Sequence, residues 1–194
     1  MTASVTPTIN EHDQLLVLNE YRAAEVHGAG VIMRLCRLSD STELTNDLSR
    51  HLRDEAVHAW LWTTAIQDFE GEIVEVDMPY QSRLGSHFGI PGSLSELLAL
   101  TWVSERRGVE QYTEHLDTPG NVPLVQRTLR AILKDEQWHV SYINDHLQQR
   151  IRADRKVQDI IDRALIADEK AVAELTADIS AASAPAQAPA GNAT

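Results

Sequence analysis

The pattern Asp-Glu-x-x-His occurs twice in this chain, as Asp54-Glu55-Ala56-Val57-His58 and again in its second half as Asp135-Glu136-Gln137-Trp138-His139. A Glu and a His three residues apart lie on one face of an α-helix, about one turn from each other. Each pair has another glutamate upstream at a matching interval. Glu25 precedes Glu55 as Glu105 precedes Glu136, and the two intervals differ by a single position. Helices that turn these groups inward bring four carboxylates and two imidazoles together, a ligand set for two metal ions in a bundle core. Few folds can close such a constellation.

The rest of the chain reads as helix almost throughout, with apolar residues at helical spacing and little Gly or Pro inside the long segments. The first helix is predicted over about 11–38, with Leu18, Tyr21, Glu25, Gly28, Ile32 and Leu35 in its inward stripe. Asp40-Ser41-Thr42-Glu43 reads as a capping box that opens a second helix ending near Phe69 and Gly71. Its stripe holds Leu48, His51, Glu55, His58, Trp62 and Ile66. Ser93-Leu94-Ser95-Glu96 is a second capping box, and the third helix that it opens carries Leu98, Trp102, Glu105 and Tyr112. Pro123 suits the first position of a fourth helix, with Leu129, Ile132, Glu136, His139 and Ile143 inward.

Between these hairpins, residues 71–92 break the period with Gly71, Pro79, Gly85, Gly89, Pro91 and Gly92. Loops longer than about 12–15 residues are uncommon unless they have a task. The expected task here is a crossover from one end of the bundle to the other, with Ile73–Val76 briefly extended. A single domain is expected over 1–179, made of a bundle over about 11–150 and an extra helix over about 152–179. That helix has a thinner apolar face and is expected on the bundle exterior or against a second copy in a homodimer. The Ala/Pro-rich tail, 180–194, reads as disordered.

Two arguments choose the glutamates. Glu25 and Glu105 fall inside apolar stripes, whereas Glu20 and Glu110 are five positions away, roughly 140° off those faces at about 100° per residue. The second argument is level. With the first turn at Asp40, Glu25 and Glu55 are equally far from it along the chain. With the second turn at Gly120, Glu105 and Glu136 are equally far to within one position. Choosing Glu20 instead would shift its carboxylate by about 7.5 Å, too far when paired ions sit about 3.5–4 Å apart. Buried carboxylates without partners cost several kcal/mol each, and two divalent cations offset four of them. Mixed carboxylate and imidazole donors favour iron, with a mixed manganese–iron pair as the alternative.

These residues resemble the ferritin-like di-iron carboxylate superfamily, over about residues 11–150. The resemblance implies an all-α, ferritin-like four-helix bundle with a long crossover between its second and third helices, followed here by an added C-terminal helix. It implies that Glu55 and Glu136 bridge the ions, with Glu25 and His58 on one and Glu105 and His139 on the other. It further implies that Asp54 orients His139 across the bundle and Asp135 orients His58. Gly108 stands where rubrerythrins carry another glutamate, and the single cysteine excludes a rubredoxin module.

Gly28 and Gly108, one turn past Glu25 and Glu105, are expected to leave space beside the metals for O2 and an organic substrate. Ile32, Trp62 and Trp102 would wall that space, and Tyr112 lies on the same face. His51 and His146 are expected to support the site or sit at helix ends rather than ligate. Tyr21 and Tyr112 read as core residues with satisfied hydroxyls, and Trp60 and Trp138 as packing residues.

The expected activity is that of a non-haem di-iron oxidase or oxygenase, such as a monooxygenase, acting on a small organic molecule. Without a flavin or iron–sulfur signature, it would need an external donor, a reductase or ferredoxin. The alternative is a ferroxidase or rubrerythrin-like peroxidase acting on Fe(II) or peroxide, which predicts no sizeable apolar pocket at the metals. A non-catalytic helical interaction protein, with its Glu/His pattern solvated, predicts no stoichiometric metal. The net charge of −12 argues against nucleic acid and anionic membranes as partners. No stretch approaches the roughly 18 apolar residues of a membrane span, and the short polar N-terminus carries no signal core. A cytoplasmic location is the expectation.

Overall fold

The computed structural model describes residues 11–182, and side chains over 14–177. They form six helices: α1 (Glu11–Leu38), α2 (Thr42–Asp68), α3 (Tyr80–Phe88), α4 (Leu94–Leu116), α5 (Pro123–Ala153) and α6 (Lys156–Ala182). The described part is all-α. The helix boundaries follow local chemistry. Ser41 caps α2 by accepting a hydrogen bond from Leu44 N at 3.1 Å. Ser93 caps α4 by accepting from Glu96 N at 3.2 Å, while the Glu96 carboxylate accepts from Gly92 N at 2.8 Å. This is a capping box displaced by one residue, since the Glu96 carboxylate takes the N–H before the cap rather than that of Ser93 itself. Pro123 occupies the first turn of α5, where its missing N–H is not needed.

Helix α2 ends at Asp68, with Phe69 as its C-cap. Glu70, not Gly71, takes the left-handed conformation, with φ 53°. Gly71 is needed for close approach instead: a Cβ there would lie 2.3 Å from Leu15 Cδ2 on α1.

Helices α1, α2, α5 and α4 contact one another in a ring. Short connections make α1/α2 and α4/α5 hairpins. Across the ring, α2 and α5 run antiparallel, since His146 Nε2 meets Asp47 at 3.0 Å and His51 Nδ1 meets the Tyr142 hydroxyl at 2.8 Å. Helices α1 and α4 do likewise, with Tyr21 on His115 at one end and Arg34 on Pro91 at the other.

The apolar core falls into two parts. One gathers Leu18, Trp62, Ile66, Tyr112, Leu129 and Ile132; the other gathers Ile32, Leu35, Leu48, Leu98, Val103 and Ile143, with the buried face of α6. Between them, at the level of Glu25, Glu55 and Glu136, lies a layer of buried polar side chains.

The crossover carries a helix that sequence spacing does not predict. Nine residues form α3, too few for a periodic signal. Pro79 precedes it, and Gly89 ends it with φ 94°. Tertiary contacts hold it: the Tyr80 hydroxyl donates to Asp168 of α6 at 2.6 Å, and Arg83 Nη1 donates to Glu174 at 2.9 Å. Residues 71–76, including Ile73–Val76, form no strand.

Helix α6 packs on α3 and α4 through Val157, Ile161, Ala164, Ala167 and Ala171. It runs to Ala182, past its expected end, and most of the tail expected to be disordered lies outside the described residues. Trp60, expected in packing, is 61 % exposed, because it sits outside the α2 stripe. No helix among the described residues is long and apolar enough to cross a membrane.

Candidate metal centre

The polar layer holds two overlapping groups of potential ligand atoms, each lying within 4.8 Å of one another. Glu25, Glu55, His58 and Glu136 form one group; His51, Glu55, Glu105 and His139 form the other. Each group could hold a metal ion. All six sequence-predicted ligands are present, together with His51. Glu55 belongs to both groups. Glu136 spans them, with Oε1 2.9 Å from His58 Nδ1 and Oε2 3.1 Å from His139 Nδ1. Glu25, Glu55 and Glu136 are 3–5 % exposed, while the Glu105 side chain is 11 % exposed.

His51, expected to support the site, stands among the candidate ligand atoms themselves. Its Nε2 lies 3.2 Å from Glu55 Oε1 and 3.5 Å from Glu105 Oε1, and its ring stacks on His139 at 3.6 Å. The signal was available: His51, Glu55 and His58 occupy i, i+4 and i+7 of one helix face. The second half of the pseudo-repeat has Ile132 at the corresponding place, four positions before Glu136, and it is fully buried. The halves are therefore unequal. One group has two imidazoles and the other has one. His146 stays apart on Asp47, two turns further along α5 than His139.

Hydrogen bonds satisfy these groups only in part. His51 Nε2 pairs with Glu55 Oε1 at 3.2 Å and His139 Nδ1 with Glu136 Oε2 at 3.1 Å, but His58 Nδ1 and Glu136 Oε1 are close without either having a hydrogen-bond partner, and His139 Nε2 and Asp54 Oδ2 also lack one. Buried polar atoms are nearly always paired. Close atoms at angles that make no hydrogen bond are what lone pairs converging on a third atom produce. The donor set fits a pair of divalent cations with oxygen and imidazole ligands.

The electrostatics agree. Burial and the charges of Glu25, Glu105 and Glu136 push Glu55 well above the usual carboxylate range. Burial and Glu105 raise Glu136 as well. Burial would also raise Glu105, but His51 and His139 beside it hold it well below that range. Burial opposes charge on His58, yet Glu136 and Glu25 outweigh it and push the imidazole up to about 11. In the same way Glu105 and Glu136 raise His139 to about 10. Without metal, protons do the neutralising that cations would otherwise do.

Each motif aspartate stands beside the other motif's histidine. Asp54 Oδ2 is 3.6 Å from His139 Nε2, and Asp135 Oδ2 is 3.6 Å from His58 Nε2. Both pairs lie just beyond hydrogen-bond length. Arg53 Nε steadies Asp54 by donating at 2.9 Å. The Tyr112 hydroxyl donates to Glu25 and accepts from Trp62 Nε1 at 3.3 Å, so Tyr112 and Trp62 brace the Glu25 carboxylate. On the other side Tyr142 meets His51 and stacks on Trp138 at 4.6 Å.

The residues expected to wall a pocket are not those that line the cavity beside the layer. A cavity of about 260 Å³ lies between α1, α3 and α4, and Gly28 and Glu105 form part of its wall. Ile32, Trp62, Trp102, Gly108 and Tyr112 do not line it. Ile32 and Trp62 are fully buried in the two apolar cores. Gly28 does not leave the open space expected of it, since a Cβ there would lie 2.2 Å from Glu55 Oε2. Its missing side chain makes room for the Glu55 carboxylate. A Cβ at Gly108 would meet no atom within 4 Å. The chain matches no protein-family signature, no curated protein and no solved structure.

Proposed function

We propose that this protein is a ferritin-like, non-haem di-iron oxidase or oxygenase that uses O2 to oxidise a small organic molecule. One observation carries the reading: two ligand groups share Glu55, and a cavity reaches the same layer at Glu105. A ferroxidase or peroxidase has no need of a mainly apolar chamber there, so the cavity favours an organic substrate. Glu25, Glu55, Glu105 and Glu136 would hold the irons with His51, His58 and His139. A bound iron pair supplies the electron transfer to O2 that these side chains do not provide.

The chain's own contribution is placement. Asp54 and Asp135, each 3.6 Å from the other motif's imidazole Nε2, would orient His139 and His58 on closing to hydrogen-bond length, selecting the tautomer that leaves Nδ1 free for an ion. Tyr112 holds Glu25 in position through its hydroxyl. Glu105, the least covered carboxylate, faces the chamber and has room to shift as a substrate enters. The apolar cores above and below keep water from the layer. Electrons come from outside the chain, from a reductase or ferredoxin.

Loading the protein anaerobically with Fe(II) and then admitting O2 tests this. The expected result is two irons per chain and O2 uptake that becomes catalytic with an external reductant. A protein that binds no iron, or binds two and consumes no O2, refutes it.

A further inference from the structure

The chamber beside Glu105 has a chemistry of its own. Its apolar walls come from Val31, Leu84, Leu97 and Leu100. No Phe, Tyr or Trp lines it, and its one ring is the small imidazole of His27, so the wall is aliphatic rather than aromatic. The one carboxylate on its wall is Glu105, already engaged in the ligand group. At the other end stands Arg34, whose Nη2 donates to the Pro91 carbonyl at 3.3 Å. Among the described residues, no carboxylate lies within ion-pair distance of Arg34. A guanidinium has five N–H donors, so most of those of Arg34 remain available. Gln81 also lines the chamber, and its buried amide oxygen has no partner. From Gly28 to Arg34 is six positions of helix, about 9 Å.

We propose that this chamber binds an aliphatic monocarboxylate, its carboxylate on Arg34 and its hydrocarbon chain running between α1 and α4 toward Glu105. A single planar fork matches one carboxylate bidentately; a dianion would need a second cation, and the other basic group on the wall, His27, is disfavoured as a cation because burial lowers its pKa. A cation finds no free acid there, only the neutral amide oxygen of Gln81, which cannot offset a full charge and takes no part in holding the carboxylate. The chamber falls just below the lower bound of about 300 Å³ typical of small-molecule pockets, which fits a slender chain. Arg34 fixes the head, so the far end of the chain is presented to the ligand layer. Naming this ligand the substrate rests on the oxygenase reading above; its binding does not.

Titration calorimetry of the full chain, metal-loaded and metal-free, with octanoate, 1-octanol and octylamine tests the proposal. Octanoate is expected to bind one per chain, at least tenfold more tightly than 1-octanol, and octylamine not at all. Arg34→Gln should weaken octanoate at least tenfold, and Arg34→Lys should restore part of the loss. Leu100→Trp, which fills the chamber, should abolish binding. Arg34 is exposed, so its variants keep the test valid if Leu100→Trp fails to fold. No octanoate binding, equal binding by Arg34→Gln, or equal binding of octylamine overturns the proposal. Octanoate bound by a chain that takes up no iron would leave the chamber standing and remove the oxygenase reading. Two irons without octanoate binding would do the reverse.

Discussion

Gly28→Ala adds one methyl group, and its consequence follows from a single distance. The new Cβ would lie 2.2 Å from Glu55 Oε2, whereas ordinary contact begins near 3.4 Å. The carboxylate must therefore move by about 1.2 Å to restore contact distance, because the end of a side chain yields before a helix backbone does. Ligand positions in metal sites tolerate about 0.2 Å. Glu55 is 3 % exposed and belongs to both ligand groups, so the displacement disturbs both. Disturbing an outer partner of a ligand already costs about 10–100-fold in metal affinity, or about 1.4–2.7 kcal/mol. Moving a shared ligand should cost at least that much. Alanine also favours an α-helix over glycine by about 0.8–1.0 kcal/mol, so the variant should fold. Elemental analysis after equilibration with limiting Fe(II) is expected to show one iron or fewer per chain, with helical circular dichroism unchanged. Gly108→Ala brings the same helix preference and meets nothing within 4 Å, so it should keep wild-type metal content. Two tightly held irons in Gly28→Ala would refute the packing argument.

Further outcomes follow from the same layer. His51→Ala should weaken one metal position and spare the other, giving one tight and one loose iron in a binding isotherm; an unchanged isotherm would return His51 to a supporting role. Asp54→Asn should lower metal affinity about 10–100-fold by loosening His139, while Asp47→Asn, two turns away on α2, should change metal binding little. The metal-free protein should lose stability as pH rises. His58 and His139 sit near 11 and 10 when folded, against an ordinary 6.5, so their contribution is full below pH 6.5 and is lost as pH climbs through 10–11. The raised Glu55 and Glu136 act in the same sense above the usual carboxylate range. Melting temperatures between pH 6.5 and 9 should therefore fall without metal and stay flatter with it; a metal-free melting temperature that rises over this range contradicts the assignment.

Much of the site is legible in the sequence because helices convert spacing into position. A residue on a given face, at a given distance from a turn, has its place set by the helical repeat of about 3.6 residues per turn and the rise of about 1.5 Å per residue. That arithmetic alone brings Glu25, Glu55, Glu105 and Glu136 to one level. It fails where tertiary packing decides. Helix α3 is too short for periodicity and exists because Tyr80 and Arg83 find Asp168 and Glu174 on α6. The chamber escapes sequence reasoning for the same reason: α3 forms one of its walls, so its lining cannot be read from the four long helices. His51 is visible in the stripe, but two Glu-x-x-His pairs already supply a symmetric set of ligands without it. The symmetry breaks at Ile132, and the position of His51 among Glu55, Glu105 and His139 shows what that break does.

Anomalous diffraction at the iron edge, from crystals of the iron-loaded protein, tests most directly whether one buried layer holds two metal ions that share Glu55. Two peaks are expected about 3.5–4 Å apart, one beside His58 and Glu25, the other beside His51, His139 and Glu105, with Glu55 between them. A single peak, peaks away from this layer, or none in protein shown to be saturated with iron would contradict it.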